Sequence, residues 1–187
     1  YQAMVAAGNE ARAMAEDSAG GGHIESARQG YLWANDFHDC ATYFADGTGD
    51  PARIAAAWQM MDGCWLKSLA LYDPPIETVS IPYEGIALRG FYLWGKSRKE
   101  RRPLLILVNG SDGSALDMWM LGAAGAVVRG YNGLTFDGPG QGYALWKQGP
   151  SFRSDWEHVV TPVVDFALSR PGVDPKRIAI QGISQGG

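Results

Sequence analysis

Three short strand-like runs in the second half of the chain place the strongest limit on its fold. They cover residues 104–108, 133–136 and 177–181, and helical patterns over 116–129 and 155–169 separate them. Buried strands that alternate with helices predict a parallel sheet with helices on both faces. Ligands of such sheets bind beyond the carboxyl ends of the strands, so the loops that follow these runs are the first candidates for a functional site.

The first 73 residues show a different pattern, in which apolar side chains recur at helical spacing. Glycines at 20–22 and 47–49 divide this region into three predicted helices. Because the sequence Asp73-Pro74-Pro75 ends the helical pattern, we divide the chain there. Residues 1–73 are predicted to form a helical cap region, and residues 74–187 the first part of an α/β core.

The second predicted helix carries apolar residues on two faces. One face holds Ile24, Ala27, Tyr31, Ala34, His38 and Ala41, and the other holds Trp33, Phe37, Cys40 and Phe44. A helix that is apolar on two faces is predicted to be buried between neighbours. We interpret the aromatic residues of this region as helix core, with the lining of a substrate pocket as the alternative.

The α/β core begins with an edge hairpin. Residues 78–83 and 86–94 predict two antiparallel strands, and the charged stretch 96–102 predicts a solvated connecting loop. Further on, Ile178, Ala179 and Ile180 form a fully apolar run. Such a run is typical of a central parallel strand that is covered on both faces.

Composition excludes several classes of partner. With 16 Lys+Arg against 20 Asp+Glu, the chain has a formal charge of −4 and no basic surface for nucleic acid. Apolar stretches fall short of the roughly 18 residues of a membrane span, and the first residues given do not show the charged-then-apolar pattern of a signal peptide. Cys40 and Cys64 lack metal-ligand spacing, so we predict buried free thiols and a cytoplasmic location, with a single disulfide as the alternative.

Residues 182–186 read Gly-Ile-Ser-Gln-Gly directly after the third strand-like run. This G-x-S-x-G pattern between a strand and a helix predicts a nucleophile elbow, with Ser184 at its apex as the catalytic nucleophile. Gly182 and Gly186 leave room where the strand and the following turn approach closely. The alternative is a glycine-rich helix start in which the serine is only a cap.

The loop after the first buried strand is the second part of this candidate site, and it begins with Asn109 and Gly110. In strand-to-helix sites of this kind, the first loop and the residue after the nucleophile each donate one backbone N–H to an oxyanion. Here those donors are the amides of Ser111 and Gln185, although position alone does not rank Ser111 above Gly110. Asp112 and Ser114 are predicted to cap the next helix. Candidates for the lining of the pocket are Asn109, Gly110 and Trp119.

Candidate acids and bases in the chain do not complete a triad. In enzymes that have a nucleophile elbow of this kind, the serine comes first in the chain, the acid second and the histidine last. The acid and the base therefore follow the serine. Asp137 precedes Ser184, so we predict a structural role for it in its loop. His23, His38 and His158 also precede Ser184 and are interpreted as ordinary helix histidines.

Taken in order, the helical region, the edge hairpin and the sequences VNGSDGS, FDGPGQG and GISQGG resemble the α/β-hydrolases that include 2,6-dihydroxypseudooxynicotine hydrolase. Fungal polyketide-shortening hydrolases and the fermentation/respiration switch protein are similar. The resemblance implies an α/β-hydrolase fold whose helical region packs over the catalytic domain. It also implies a Ser-Asp-His triad that hydrolyses esters or C–C bonds next to ketones, without metal or organic cofactor.

The resemblance therefore predicts a serine hydrolase of a small-molecule carbonyl substrate. Its acid and histidine are expected beyond residue 187, and the chain is expected to be an N-terminal fragment that is inactive alone. An acylaminoacyl- or prolyl-peptidase-like enzyme and a non-catalytic interaction module are the alternatives. Neither a membrane nor a nucleic-acid partner is expected, and a homodimer stays open.

Overall fold

The structure, a computed structural model, describes residues 1–95, 98, 100–111 and 113–187. The chain divides into two compact units, Tyr1–Pro75 and Ile76–Gly187. No helix among these residues has both the length and the apolarity that a membrane crossing requires.

Three helices form the first unit: α1 (Gln2–Gly20), α2 (Ile24–Ala45) and α3 (Ala52–Ala70). Helix α2 packs against both of the others. Small residues bring α1 and α2 close together, since a Cβ atom at Gly30 would lie 2.9 Å from the Cβ of Ala15. The predicted three-helix organisation of this region is present in the structure.

Two expectations for this unit are wrong. Helix α2 is not buried on both faces, because α1 and α3 cover the face with the small residues Ala27, Ala34 and Ala41. On the other face, Trp33 and Phe44 are 55% and 57% exposed. Cys40 shares that face and is exposed, whereas Cys64 is buried, and both thiols are free.

A five-stranded sheet forms the centre of the second unit. Its strands are β1 (Glu77–Tyr83), β2 (Ile86–Leu93), β3 (Arg102–Val108), β4 (Asn132–Phe136) and β5 (Val173–Gly182). They lie in the order β1-β2-β4-β3-β5. The predicted edge hairpin is present as the antiparallel pair β1 and β2, and β3 runs parallel to both β4 and β5, as the alternation predicts.

Helical segments connect the parallel strands. Between β3 and β4 lie α4 (Ala115–Met118), a π-helical turn (Trp119–Ala123) and α5 (Ala124–Val128). A second π-helical turn (Ala144–Gln148) and α6 (Glu157–Ser169) precede β5. The larger apolar core joins β1–β4 to Val159, Val163 and Ala167 of α6.

The parallel strands β4 and β5 differ in burial. Every residue of β4 is buried, but Ile180 in β5 is 49% exposed. Strand β5 lies at the edge of the described sheet and has β3 as its hydrogen-bonded neighbour on one side only. Because the described residues supply a neighbour on one side of β5 only, the prediction of a central strand that is covered on both faces stays a prediction.

Candidate active site

Ser184 lies two residues after the end of β5 and has a backbone φ of +53°. This left-handed conformation is uncommon for a residue with a Cβ atom and occurs at strained functional turns. The Ile183 amide donates to the Val108 carbonyl at 3.2 Å, and the Gly186 amide donates to the Ile183 carbonyl at 2.9 Å. These bonds hold the turn against the end of β3.

Both elbow glycines lie where a side chain has no room. A Cβ atom at Gly182 would collide with the Gly186 carbonyl oxygen, and one at Gly186 would collide with the Asn109 carbonyl oxygen. The same Gly186 Cβ would lie 2.8 Å from the Val108 carbonyl oxygen. The elbow and the loop after β3 are therefore in direct backbone contact, which requires glycine at these two positions.

The structure brings Gly110 and Ser184 together. A Cβ atom at Gly110 would lie 3.2 Å from the Ser184 Cβ and 3.8 Å from its Oγ. The loop that begins with Asn109 therefore lies beside the hydroxyl of the candidate nucleophile, and Gln185 lies in the short 3₁₀ turn that follows it. The candidate residues that follow β3 and those that follow β5 therefore lie side by side.

Hydrogen bonds within the loop after β3 separate two of its amides. The Gly110 N–H donates to the Oδ1 atom of its neighbour Asn109 at 2.8 Å. An N–H that already has a buried acceptor is a poor donor to a substrate. This bond favours Ser111 over Gly110 as the donor of this loop, a ranking that sequence position alone does not provide.

Gln141, in the loop after β4, is the main residue that the sequence analysis missed. Its side chain is fully buried, and its Nε2 atom donates to the carbonyl oxygens of Asn109 and Gly110, at 2.7 Å each. Its Oε1 atom accepts from the Gly138 amide at 3.0 Å. A polar residue between two glycines was the available signal, but its partners become visible only when the loops are placed.

Asp137 binds backbone amides in the same loop region. Its Oδ1 atom accepts from the Ala115 amide at 2.7 Å, and Oδ2 accepts from the Tyr143 amide at 3.1 Å. The Arg89 guanidinium lies 3.9 Å from Oδ2. The carboxylate thus joins the start of α4 to the loop after β4, which is the kind of structural role that its position before Ser184 suggested.

A capping box begins the helix after the first loop. The Ser114 amide donates to Asp117 Oδ2 at 2.6 Å, and the Ser114 hydroxyl donates to the same oxygen at 3.2 Å. Burial raises the pKa of Asp117 above its ordinary value, against the effect of these bonds. The predicted cap at Ser114 is therefore present, while Asp112 lies outside the described residues. Trp119 packs in the apolar cluster that also contains Ile183.

The three histidines lie away from Ser184 in sequence and differ in environment. His38 is fully buried in the first unit, and His23 at the start of α2 is exposed. His158 in α6 is 63% exposed and lies 3.9 Å from Asp155. Over the part of the chain that the structure describes, no group of three His, Cys, Asp or Glu side chains could hold a metal ion.

Comparison with known proteins gives relatives over the whole chain, although no protein-family model matches it. It is 32% identical to hydrolase acrC of Aspergillus aculeatus, over all of this chain and 48% of that protein. It is 32% identical to 20-hydroxy-prefusarin hydrolase FUS2 of Gibberella moniliformis, over all of this chain and 46% of that protein. The chain thus spans about half the length of the curated relatives that it matches.

A solved structure of 2,6-dihydroxy-pseudo-oxynicotine hydrolase superposes on 98% of this chain and 50% of its own, with a TM-score of 0.85 and 22% identity. At that identity the likeness concerns the fold, and it includes the helical region as well as the sheet. The predicted resemblance to this structure and to fungal hydrolases is confirmed. The chain has the α/β-hydrolase fold and is similar in sequence to these fungal hydrolases.

Proposed function

We propose that this chain supplies the nucleophile and the oxyanion donors of a serine hydrolase that acts on a small-molecule carbonyl substrate. The observation that carries the proposal is Ser184 in a left-handed conformation at the end of β5, with Gly110 against its side chain. Relatives named as hydrolases over the whole chain support the same reaction class. The bond that is cut is a C–C bond next to a ketone or an ester bond.

In this mechanism the Ser184 Oγ attacks the carbonyl carbon while a base removes its proton. The carbonyl oxygen becomes an oxyanion, and the amides of Ser111 and Gln185 donate hydrogen bonds to it. Collapse of this intermediate breaks the bond to the leaving group, which takes up the proton, and water then hydrolyses the acyl-serine. We assign the base and its acid to no residue of this chain, since in this fold both follow the serine.

Covalent labelling with a fluorophosphonate tests the proposal on the intact protein. The reagent should modify the wild type at Ser184, and Ser184→Ala should reduce labelling by about a thousandfold or more. Ser154→Ala is the matched control: it removes an exposed hydroxyl outside the candidate site, so labelling should persist. Unchanged labelling of Ser184→Ala would refute the nucleophile, and an unlabelled, folded wild type would favour a non-catalytic interaction module.

A further inference from the structure

Gln141 joins the two loops beside the candidate nucleophile through one buried side chain. The inference drawn from it rests on the proposed function, because it concerns the oxyanion donor in the loop after β3. Its Nε2 atom donates to both the Asn109 and the Gly110 carbonyl oxygens, and its Oε1 atom accepts from Gly138. The two N–H groups of the Gln141 amide thus both donate to consecutive peptide carbonyls of the loop after β3.

These bonds fix the orientation of each peptide group in turn. In the peptide between Asn109 and Gly110, the carbonyl binds Gln141 and the N–H binds the Asn109 side chain, so both polar groups are held. In the next peptide, the Gly110 carbonyl binds Gln141. The C=O and N–H of a planar trans peptide point in opposite directions, so the Ser111 N–H is directed away from Gln141. One side chain thus determines where this N–H points.

We propose that Gln141 is a positioning residue that holds the Ser111 N–H toward the oxyanion formed at Ser184. The contact between Gly110 and Ser184 places this peptide beside the nucleophile. A loop that starts with Asn109 and Gly110 has no regular ladder to hold its carbonyl groups, so a side chain must do it. Without the Gln141 amide the peptide between Gly110 and Ser111 can rotate, and the donor is no longer preorganised.

Gln141→Met in the intact protein tests this role, because methionine is similar in size and lacks the amide. The second-order rate constant of labelling by a fluorophosphonate is separated into the maximal labelling rate, kinact, and the constant for initial binding, KI. We expect kinact to fall by about tenfold to a hundredfold, with KI within about twofold of the wild type, because the donor acts on the oxyanion and not on initial binding. Gln148→Met is the matched control, since the Gln148 amide donates to the Ala87 carbonyl in the β1–β2 hairpin.

A second readout separates positioning of the donor from general weakening of the fold. Sulfur accepts hydrogen bonds weakly, so an oxyanion donor accelerates labelling by a P=O reagent more than labelling by its P=S analogue. Gln141→Met should therefore lower the ratio of the two labelling rates, and Gln148→Met should leave it unchanged. An equal loss with both reagents, together with a lower Tm, would show a merely structural role and overturn the inference.

Gln141→Glu is the second variant if the methionine protein does not fold. It keeps an acceptor for the Gly138 amide but turns an oxygen toward two carbonyl oxygens. The ratio of its kinact to that of the wild type at the same pH should be low at pH 8, and it should rise as the pH falls and the buried acid becomes a donor. Wild-type kinact and wild-type pH dependence in a folded Gln141 variant would refute the positioning role, while loss of labelling in Ser184→Ala would leave the proposed function intact.

Discussion

Asp137 and Gln141 in the loop after β4, and His38 in helix α2, are all buried polar side chains, yet only the first two are bonded to backbone. Asp137 accepts from two amides and Gln141 makes three hydrogen bonds. Neither ring nitrogen of His38 has a hydrogen-bond partner among the described residues, and its ring packs against Gly8 of α1. Equal burial thus leaves Asp137 and Gln141 hydrogen-bonded, while the His38 ring has no hydrogen bond among the described residues.

The difference follows from the backbone around each residue. A helix satisfies most of its own N–H and C=O groups, and among the described residues neither α1 nor α2 supplies a hydrogen-bond partner to the imidazole between them. A loop at the end of a strand has no such ladder, and its N–H and C=O groups need side-chain partners when they are buried. Buried polar residues therefore organise the loops of the second unit, whereas His38 is a buried group whose protonation has no compensating contact.

The largest expected effect is that of Asp137→Ala. Removal of the carboxylate leaves the Ala115 and Tyr143 amides without their acceptor, and each such loss costs about 1–3 kcal/mol. We expect the free energy of unfolding, measured by urea denaturation of the intact protein, to fall by about 3–5 kcal/mol. Asp165→Ala in α6 removes an exposed carboxylate and should change it by less than about 0.5 kcal/mol. Equal effects of the two variants would contradict the structural role of Asp137.

A smaller, pH-dependent effect is expected from His38. Burial, and then the nearby Arg12, lowers the pKa of His38 below its ordinary value. The unfolded chain therefore binds a proton at this histidine more readily than the folded chain does. The contribution of neutral His38 to the free energy of unfolding is fully present above about pH 6.5, and it is lost as the pH decreases toward the folded-state pKa. The loss is at most about 1.4 kcal/mol per pH unit in that range.

His38→Met should remove this part of the pH dependence. Urea denaturation at pH 7.5, 6.5 and 5.5 should show a smaller decrease in the variant than in the wild type. His158→Gln is the control, because that side chain is 63% exposed and should leave the wild-type slope unchanged. Parallel pH profiles for His38→Met and the wild type would show that His38 does not set the acid sensitivity.

Much of the fold could be predicted because the relevant signals are local. The alternation of strands and helices gives the parallel strands, and the sequence around Ser184 gives the position of the turn. Burial is less local: Trp33 is exposed because α1 and α3 cover another face of α2. Which face of a helix is covered depends on where its neighbours pack, and a period of apolar residues does not encode it.

The candidate site divides in the same way. Glycine spacing identifies the elbow, since only close backbone approach explains Gly182 and Gly186 together. The role of Gln141 depends on carbonyl groups that lie 31 and 32 residues earlier in the chain. Such a contact has no periodicity, and it exists only after β3 and β4 pair in parallel and bring their following loops together.

The smallest effect is expected from an exposed ion pair, which completes the comparison of bonded polar groups. Lys67 of α3 donates to Glu16 of α1 at 2.6 Å, with both side chains about half exposed. The bond lowers the pKa of Glu16 and raises that of Lys67. Water competes for both groups and salt screens them, so Glu16→Gln should lower the free energy of unfolding by less than about 1 kcal/mol.

The difference should shrink in 0.5 M NaCl, and Glu10→Gln provides an exposed control on the same helix. A loss as large as that of Asp137→Ala would mean that burial is not what separates strong from weak polar contacts in this protein.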